Sequence, residues 1–280
     1  MHFCFSTPAQ SLRALITLAL TVTFAVLTGC GTPNWSATQQ KAAPSVMDVA
    51  ASSAAITTTS TTPPILLFVG SGTSSGDVAA VKTILGNLKL TYATATSSQL
   101  NAMSQSEIAK YKLFFMPGGN AVTISKGLTK TTTANVHNAV VTNGMHYLGI
   151  CAGGFFADHS IYNYLHLTPS LYDFYSIYYK GVGKAAVKIT QPDGTQLDQY
   201  WQDGPELNGW GSIVGKYPDG SAAIVEGKSG AGWIILCGVH PEAPASWRTG
   251  MTFTTSVAVD NAYAEKLVTA ALSGTSLPHY

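Results

Sequence analysis

The chain has 280 residues, 46% of them hydrophobic and only 10% charged, with a formal net charge of +1. Its 15 basic and 14 acidic residues nearly cancel, which excludes a nucleic-acid surface and a polybasic membrane patch.

Residues 1–29 read as an export address. Arg13 gives a positive start, Ala14 to Leu27 is an uncharged apolar run, and Leu27-Thr28-Gly29-Cys30 closes it with small residues. The run is too short and too early for a stable membrane span. Its ending resembles a bacterial lipobox, which implies cleavage before Cys30 and a lipid on that thiol. Several acyl chains together hold a protein firmly, since each buried methylene adds about 0.8 kcal/mol. The expected location is therefore the bacterial cell envelope, with the membrane reached through a lipid anchor at Cys30. Gly31 in place of Asp favours the outer membrane where a cell has two. Residues 30–62 are rich in Ser, Thr, Ala and Gln and poor in large apolar side chains. They bury too little surface to offset their ordering entropy and read as a tether. Residues 63–280 remain, a comfortable size for one domain with a substantial core.

Ile65-Leu66-Leu67-Phe68-Val69 before Gly70-Ser71-Gly72 reads as a buried parallel strand and its turn. Asp77 is placed to cap a helix with Val78, Val81, Ile84 and Leu85 at helical spacing. Leu90 to Ala95 forms a short strand, and Ser97 to Tyr111 a helix with Leu100, Met103 and Ile108 on one side. Leu113 to Met116 is a second buried strand, stopped by Pro117-Gly118-Gly119. Asn135 to Thr142 fits a helix, and Met145 to Ile150 a strand that breaks at Cys151. Farther on, Ala185 to Thr190, Ser212 to Tyr217, Ala222 to Glu226 and Gly232 to Cys237 read as strands between Gly, Pro and Asp turns. Asn261 to Leu272 closes the domain as an amphipathic helix. Strands alternating with helices predict an α/β fold with a doubly wound, mostly parallel sheet. Its site should lie outside the strand C-termini.

Two motifs carry the chemistry: Gly149-Ile150-Cys151-Ala152-Gly153-Gly154 and His240-Pro241-Glu242. A strand–turn–helix elbow exposes its side chain near a helix N-terminus, a setting that activates thiols. Small residues after Cys151 let the backbone turn sharply and a substrate approach. Alone, the pattern fits a buried structural cysteine equally well. His240 changes the balance. It precedes proline, which favours extended backbone, so Glu242 two residues on faces the same way. Cys151 as nucleophile, His240 as general base and Glu242 as orienting acid form a triad. The developing oxyanion also needs donors. The Ala152 amide and the Gly118-Gly119 turn are candidates, although two glycines serve a tight turn equally well.

Of four cysteines, Cys4 would leave with the signal and Cys30 would be lipidated, so Cys151 and Cys237 remain. In an oxidising compartment a Cys151–Cys237 disulfide is the structural rival to catalysis. No metal-ligand spacing occurs, and no cofactor is implied.

Several stretches resemble the class I glutamine amidotransferase-like superfamily, and most closely its biotin–protein ligase N-terminal-domain family. They are Met116-Pro117-Gly118-Gly119, Gly149-Ile150-Cys151-Ala152-Gly153, Asp203-Gly204-Pro205, and Gly230-Ala231-Gly232 through Cys237-Gly238-Val239-His240-Pro241-Glu242. The resemblance implies a three-layer, flavodoxin-like α/β/α sandwich and a Cys-His-Glu triad. There are departures. Glutaminases of this superfamily carry His-Gln shortly after the cysteine turn, where Phe155 and Phe156 stand here. Neither a synthetase nor a biotin ligase domain accompanies the motifs, so the expectation is a triad without assured glutaminase activity.

The expected function is a cysteine hydrolase acting on an amide or related acyl bond of a small-molecule or peptide-like substrate. The alternative is a non-catalytic ligand-binding module that keeps the fold. Tyr162, Tyr164, Tyr172, Phe174, Tyr175, Tyr178 and Tyr179 either pack the core and loops or line a pocket. Asp158-His159 is expected at the surface or in a cap, because adjacent helical residues point apart. The sequence itself assigns no oligomeric state.

Overall fold

A computed structural model describes residues 62–280. The predicted signal, Cys30 and the tether up to residue 61 lie outside the described residues. The first half runs β1 (Ile65–Phe68), α1 (Ser75–Asn87), β2 (Tyr92–Ala95), α2 (Ser97–Ala102), α3 (Gln105–Ile108), β3 (Leu113–Met116), α4 (Ala121–Gly127), α5 (Lys130–Val141), β4 (His146–Ile150) and α6 (Ala152–Phe156). The second half runs β5 (Asp173–Phe174), β6 (Ala185–Thr190), β7 (Gln196–Trp201), β8 (Pro205–Glu206), β9 (Ser212–Lys216), β10 (Ala222–Ser229), β11 (Gly232–Cys237) and α7 (Val257–Ser273). Among the described residues no helix is long and apolar enough to cross a membrane.

Unbroken apolar runs make the inner strands. β1 and β3 are buried at every position, so both faces must be covered. Because strand side chains alternate, each face has its own partners. Ile65 and Leu67 pack with Val81, Ile84 and Leu85 of α1 and with Leu267 and Val268 of α7. Leu66 and Phe68 pack with Leu100, Ile108, Ile124 and Val136 from α2 to α5. The result is the expected three layers. Each Leu, Ile or Phe fully buried there contributes about 1.5–3 kcal/mol.

The strands lie in the order β2-β1-β3-β4-β11-β10-β9-β6-β7. The first five are mutually parallel. Every later pairing is antiparallel, so β10 and β6 run against the other strands. The far edge then curls back. Tyr200 of β7 forms an isolated bridge with His240, just past β11, although β10, β9 and β6 separate these strands in the sheet.

The sequence expectation differs from the structure in several elements; β5 and β8 were not foreseen, and α7 begins at Val257 rather than Asn261. Ser97 to Tyr111 is two helices, because capping boxes at Thr96/Gln99 and Ser104/Glu107 each start a new one, with Met103 extended between them. Each box satisfies amides that continuing the helix would leave no better bonded. Ser74, not Asp77, caps α1; its side chain accepts from the Asp77 amide at 3.3 Å. The α5 helix begins at Lys130 rather than Asn135, and α4 precedes it. Strand β7 went unpredicted because it buries Asp198 and Gln199. Hydrogen bonds reconcile them with burial: Asp198 accepts from the Thr254 amide at 2.5 Å, and Gln199 donates to Asp260 at 3.2 Å.

Candidate active site

The parallel strands end at one rim, and β4 delivers Cys151 there. Cys151 has φ 51° and ψ −106°, a region unfavourable for a side-chain-bearing residue. Such strain costs about 1–3 kcal/mol and persists only where its surroundings fix it. Here they do. The Cys151 amide donates to the Cys237 carbonyl at 2.7 Å, and its own carbonyl accepts from Gly154 at 2.8 Å and Phe155 at 3.2 Å. The elbow also presses on β3: a Cβ on Gly153 would lie 2.2 Å from the Met116 carbonyl oxygen, so only glycine fits.

His240 and Glu242 meet as their spacing predicts. His240 Nδ1 lies 2.9 Å from Glu242 Oε1, with both side chains buried. A second carboxylate reaches the same nitrogen, Asp77 Oδ1 at 3.2 Å, from the first turn of α1. The His240 amide donates to the Tyr200 carbonyl at 2.7 Å. The rings of Tyr200 and Trp247 flank the imidazole at 5.7 and 5.6 Å between centroids.

Burial opposes charge on His240, but the Cys151 sulfur, Glu242 and Asp77 outweigh it and hold the imidazole well above its usual pKa. Burial also works against the ionised forms of both acids. For Asp77 the His240 hydrogen bond and charge prevail, and its pKa falls below the ordinary value. For Glu242 burial prevails, and its pKa rises. Asp77 is thus the firmer anion and Glu242 the nearer acceptor. Among the described residues Asp77, His240 and Glu242 are the group whose ligating atoms, within 4.8 Å of one another, could share a metal ion. The 2.9 Å contact equally has the length of a proton-bridged pair.

The oxyanion candidates lie around this centre. Gly118 backs the acid–base pair: a Cβ there would fall 2.0 Å from Asp77 Oδ1 and 2.8 Å from His240 Cε1. Gly119 and Ala152 line the space beside Cys151. Cys237 is a free thiol, as is Cys151. Its Sγ donates to the Val239 carbonyl at 3.1 Å, and burial pushes its pKa up to about 12.

Cys151 sits where two spaces join. One, of about 410 Å³, holds His240, Asp77, Lys184 and Trp247. The other, of about 420 Å³, is walled by Phe155, Tyr162, Tyr164, Tyr172, Phe174 and Tyr178. Five members of the aromatic stretch therefore line a chamber. Tyr175 instead stacks on Tyr217 in the core, with ring centroids 3.7 Å apart, and exposed Tyr179 bonds to Asp173. The Asp158-His159 expectation needs correcting. His159 is exposed, with its Nδ1 3.2 Å from that of His166, whereas Asp158 is buried in the chamber wall. Tyr164 and Tyr172, farther along the chain, lie beside it, which a local helix-surface argument does not register.

Sequence reasoning missed Asp77, Tyr200 and Trp247. Only Asp77 carried a signal, as an acid just after the turn that ends a buried strand.

Residues 64–168, well under half of the chain, match the family described as "Biotin-protein ligase, N terminal". No curated protein matches the chain. A solved protein from Thermoplasma acidophilum, described as part of a GMP synthase, is similar in structure with a TM-score of 0.50 at 11% identity. The match covers 76% of this chain and 95% of that one. The exo-β-1,4-mannosidase Op5Man5 from Opitutaceae bacterium strain TAV5 aligns over 72% of this chain at 14% identity and a TM-score of 0.48. This chain spans only 35% of the mannosidase's length. The described domain has an α/β fold with a large central sheet, similar to that of the Thermoplasma protein.

Proposed function

We propose that the domain is a cysteine-dependent hydrolase, amidotransferase-like in build, acting on an amide or related acyl bond. One observation carries this reading: the strained Cys151 elbow stands beside a buried imidazole whose Nδ1 is held 2.9 Å from Glu242. His240 already holds the proton taken from the Cys151 thiol, so the thiolate Sγ bonds to the carbonyl carbon and the carbonyl π pair moves to oxygen. Amides of Ala152 with Gly118 or Gly119 hold that oxyanion. The pair returns, the C–N bond breaks, and His240 passes its proton to the leaving amine. Water then attacks the thioester, giving one proton to His240. The acid departs and the thiol is restored.

Alkylation tests the reading. Iodoacetamide at pH 7 should label Cys151 and spare Cys237 in wild type, and His240→Ala should slow labelling at Cys151 about tenfold or more. Equal labelling with and without the imidazole sinks it. The aromatic chamber favours a second reading, a binding module on the same fold, because Phe155 builds its wall.

Export and anchoring complete the proposal: a lipid on Cys30 would tie the protein to the cell envelope, at the outer membrane where there are two. Intact mass of the membrane fraction tests it. Wild type should carry acyl chains starting at Cys30, and Cys30→Ala should not.

A further inference from the structure

The aromatic chamber has an electrostatic character of its own. Two carboxylates line it, Asp158 and, at the border with the other space, Asp203. Among the described residues no Lys, Arg or His side chain lines it. Asp158 is 2% exposed. Its Oδ2 accepts from the Tyr172 amide at 3.4 Å, while Oδ1 is buried without a partner among the described residues. Buried polar atoms are ordinarily hydrogen-bonded. Phe174 stacks on Tyr178 with centroids 4.2 Å apart, and Phe155 meets Phe174 edge-on at 5.0 Å, so ring faces and edges surround the acid's chamber. Aromatic faces attract cations. An open carboxylate oxygen asks in addition for an N–H donor, and a primary ammonium brings three.

We propose that this chamber seats a primary ammonium group of the substrate, between the aromatic walls and the Asp158 carboxylate, while the bond to be cleaved lies at Cys151. Only the placement of the scissile bond at Cys151 rests on the hydrolase reading. Asp158 follows Cys151 by one short helix and its exit, which at helical rise places the two about 10 Å apart along the chain. A lysine-like arm or an amino terminus joined to the scissile acyl group spans such a gap. The substrate class is accordingly an amide bearing an alkylammonium, and neutral amides of the same length should be poor.

The test is binding, read by protein-observed NMR on the full chain at pH 7.5, with n-butylammonium, tetramethylammonium and n-butanol as probes. Butylammonium should bind at least about tenfold more tightly than butanol, and more tightly than tetramethylammonium, which lacks the N–H. Asp158→Asn should erase the preference for butylammonium over butanol, and Tyr178→Leu should weaken both cations. Equal affinity for ammonium and alcohol in wild type overturns the proposal, as does an Asp158→Asn variant that keeps the preference. Failure of wild type to take up any probe overturns it too. Should Asp158→Asn not fold, the three-probe comparison in wild type decides. Cys151→Ser should keep the preference, so loss of the ammonium site and loss of the nucleophile are read separately.

Discussion

Asp77 Oδ1 stands 3.2 Å from His240 Nδ1, the nitrogen that Glu242 reaches at 2.9 Å. The imidazole is thus held by carboxylates from two distant strand ends, β1–α1 and the loop after β11. One of them remains a firm anion, while burial pushes the other toward neutrality.

Removing either carboxyl group should therefore lower the His240 pKa, since each favours the imidazolium. Asp77→Asn and Glu242→Gln are each expected to lower it by about one unit, a tenfold change in protonation. The Cε1 resonance of His240, titrated by NMR, measures this. The same shift fixes the sign for stability. A folded value above the unfolded 6.5 stabilises fully below about pH 6.5, and that contribution fades as pH rises through the folded value. Thermal melts of wild type and His240→Ala should diverge most in acid and converge on the alkaline side.

Gly118→Ala should disarm the site without dismantling the sheet. The new methyl meets a flexible Asp77 side chain and the His240 ring rather than backbone. Asp77 is displaced, at an overpacking cost of about 1–3 kcal/mol. Labelling at Cys151 should slow about tenfold while the far-UV circular dichroism is retained. Gly153→Ala, which strikes the Met116 carbonyl, should instead lower yield and stability.

Asp158 makes a separate prediction about pH. Burial raises its pKa from 3.8 to about 7, with the Tyr172 amide pulling the other way. A raised value means that its ionisation costs stability: the favourable contribution is complete below pH 3.8 and is lost as pH climbs to about 7. Asp158→Asn should therefore melt a few degrees above wild type at pH 8 and alongside it at pH 3.5. A constant offset across that range contradicts the assignment.

Arg248 Nη2 and Asp260 Oδ2 pair at 2.5 Å, buried, and the pair fixes the turn that carries Trp247 against His240. Arg248→Met alone leaves Asp260 uncompensated and should cost about 3–5 kcal/mol in urea unfolding. Arg248→Met with Asp260→Leu should recover much of that loss.

The parallel half was legible because its strands are largely apolar runs, and Leu113–Met116 and Gly232–Cys237 begin and end where expected, as does the antiparallel Ala185–Thr190. The acid–base pair was legible because His240 and Glu242 share one extended stretch. Asp77 was not, since its partner lies 163 positions away and no local pattern records that the first helix faces the loop after β11. Strand β7 was hidden for a related reason: Asp198 and Gln199 look exposed until Thr254 and Asp260 are seen beside them. The split between α2 and α3 was written locally, in Thr96-x-x-Gln99 and Ser104-x-x-Glu107, but apolar periodicity masked it.

The bridge from Tyr200 to His240 makes the outermost strand a clasp on the base. Edge strands unzip at lower free energy than the centre of a sheet. If β7 peels away, the imidazole loses its backbone tether and one aromatic wall, while β1, β3 and β4 stay paired. The chemistry should then fail before the fold does: on slow heating, Cys151 should lose its reactivity several degrees below the temperature at which the helices melt.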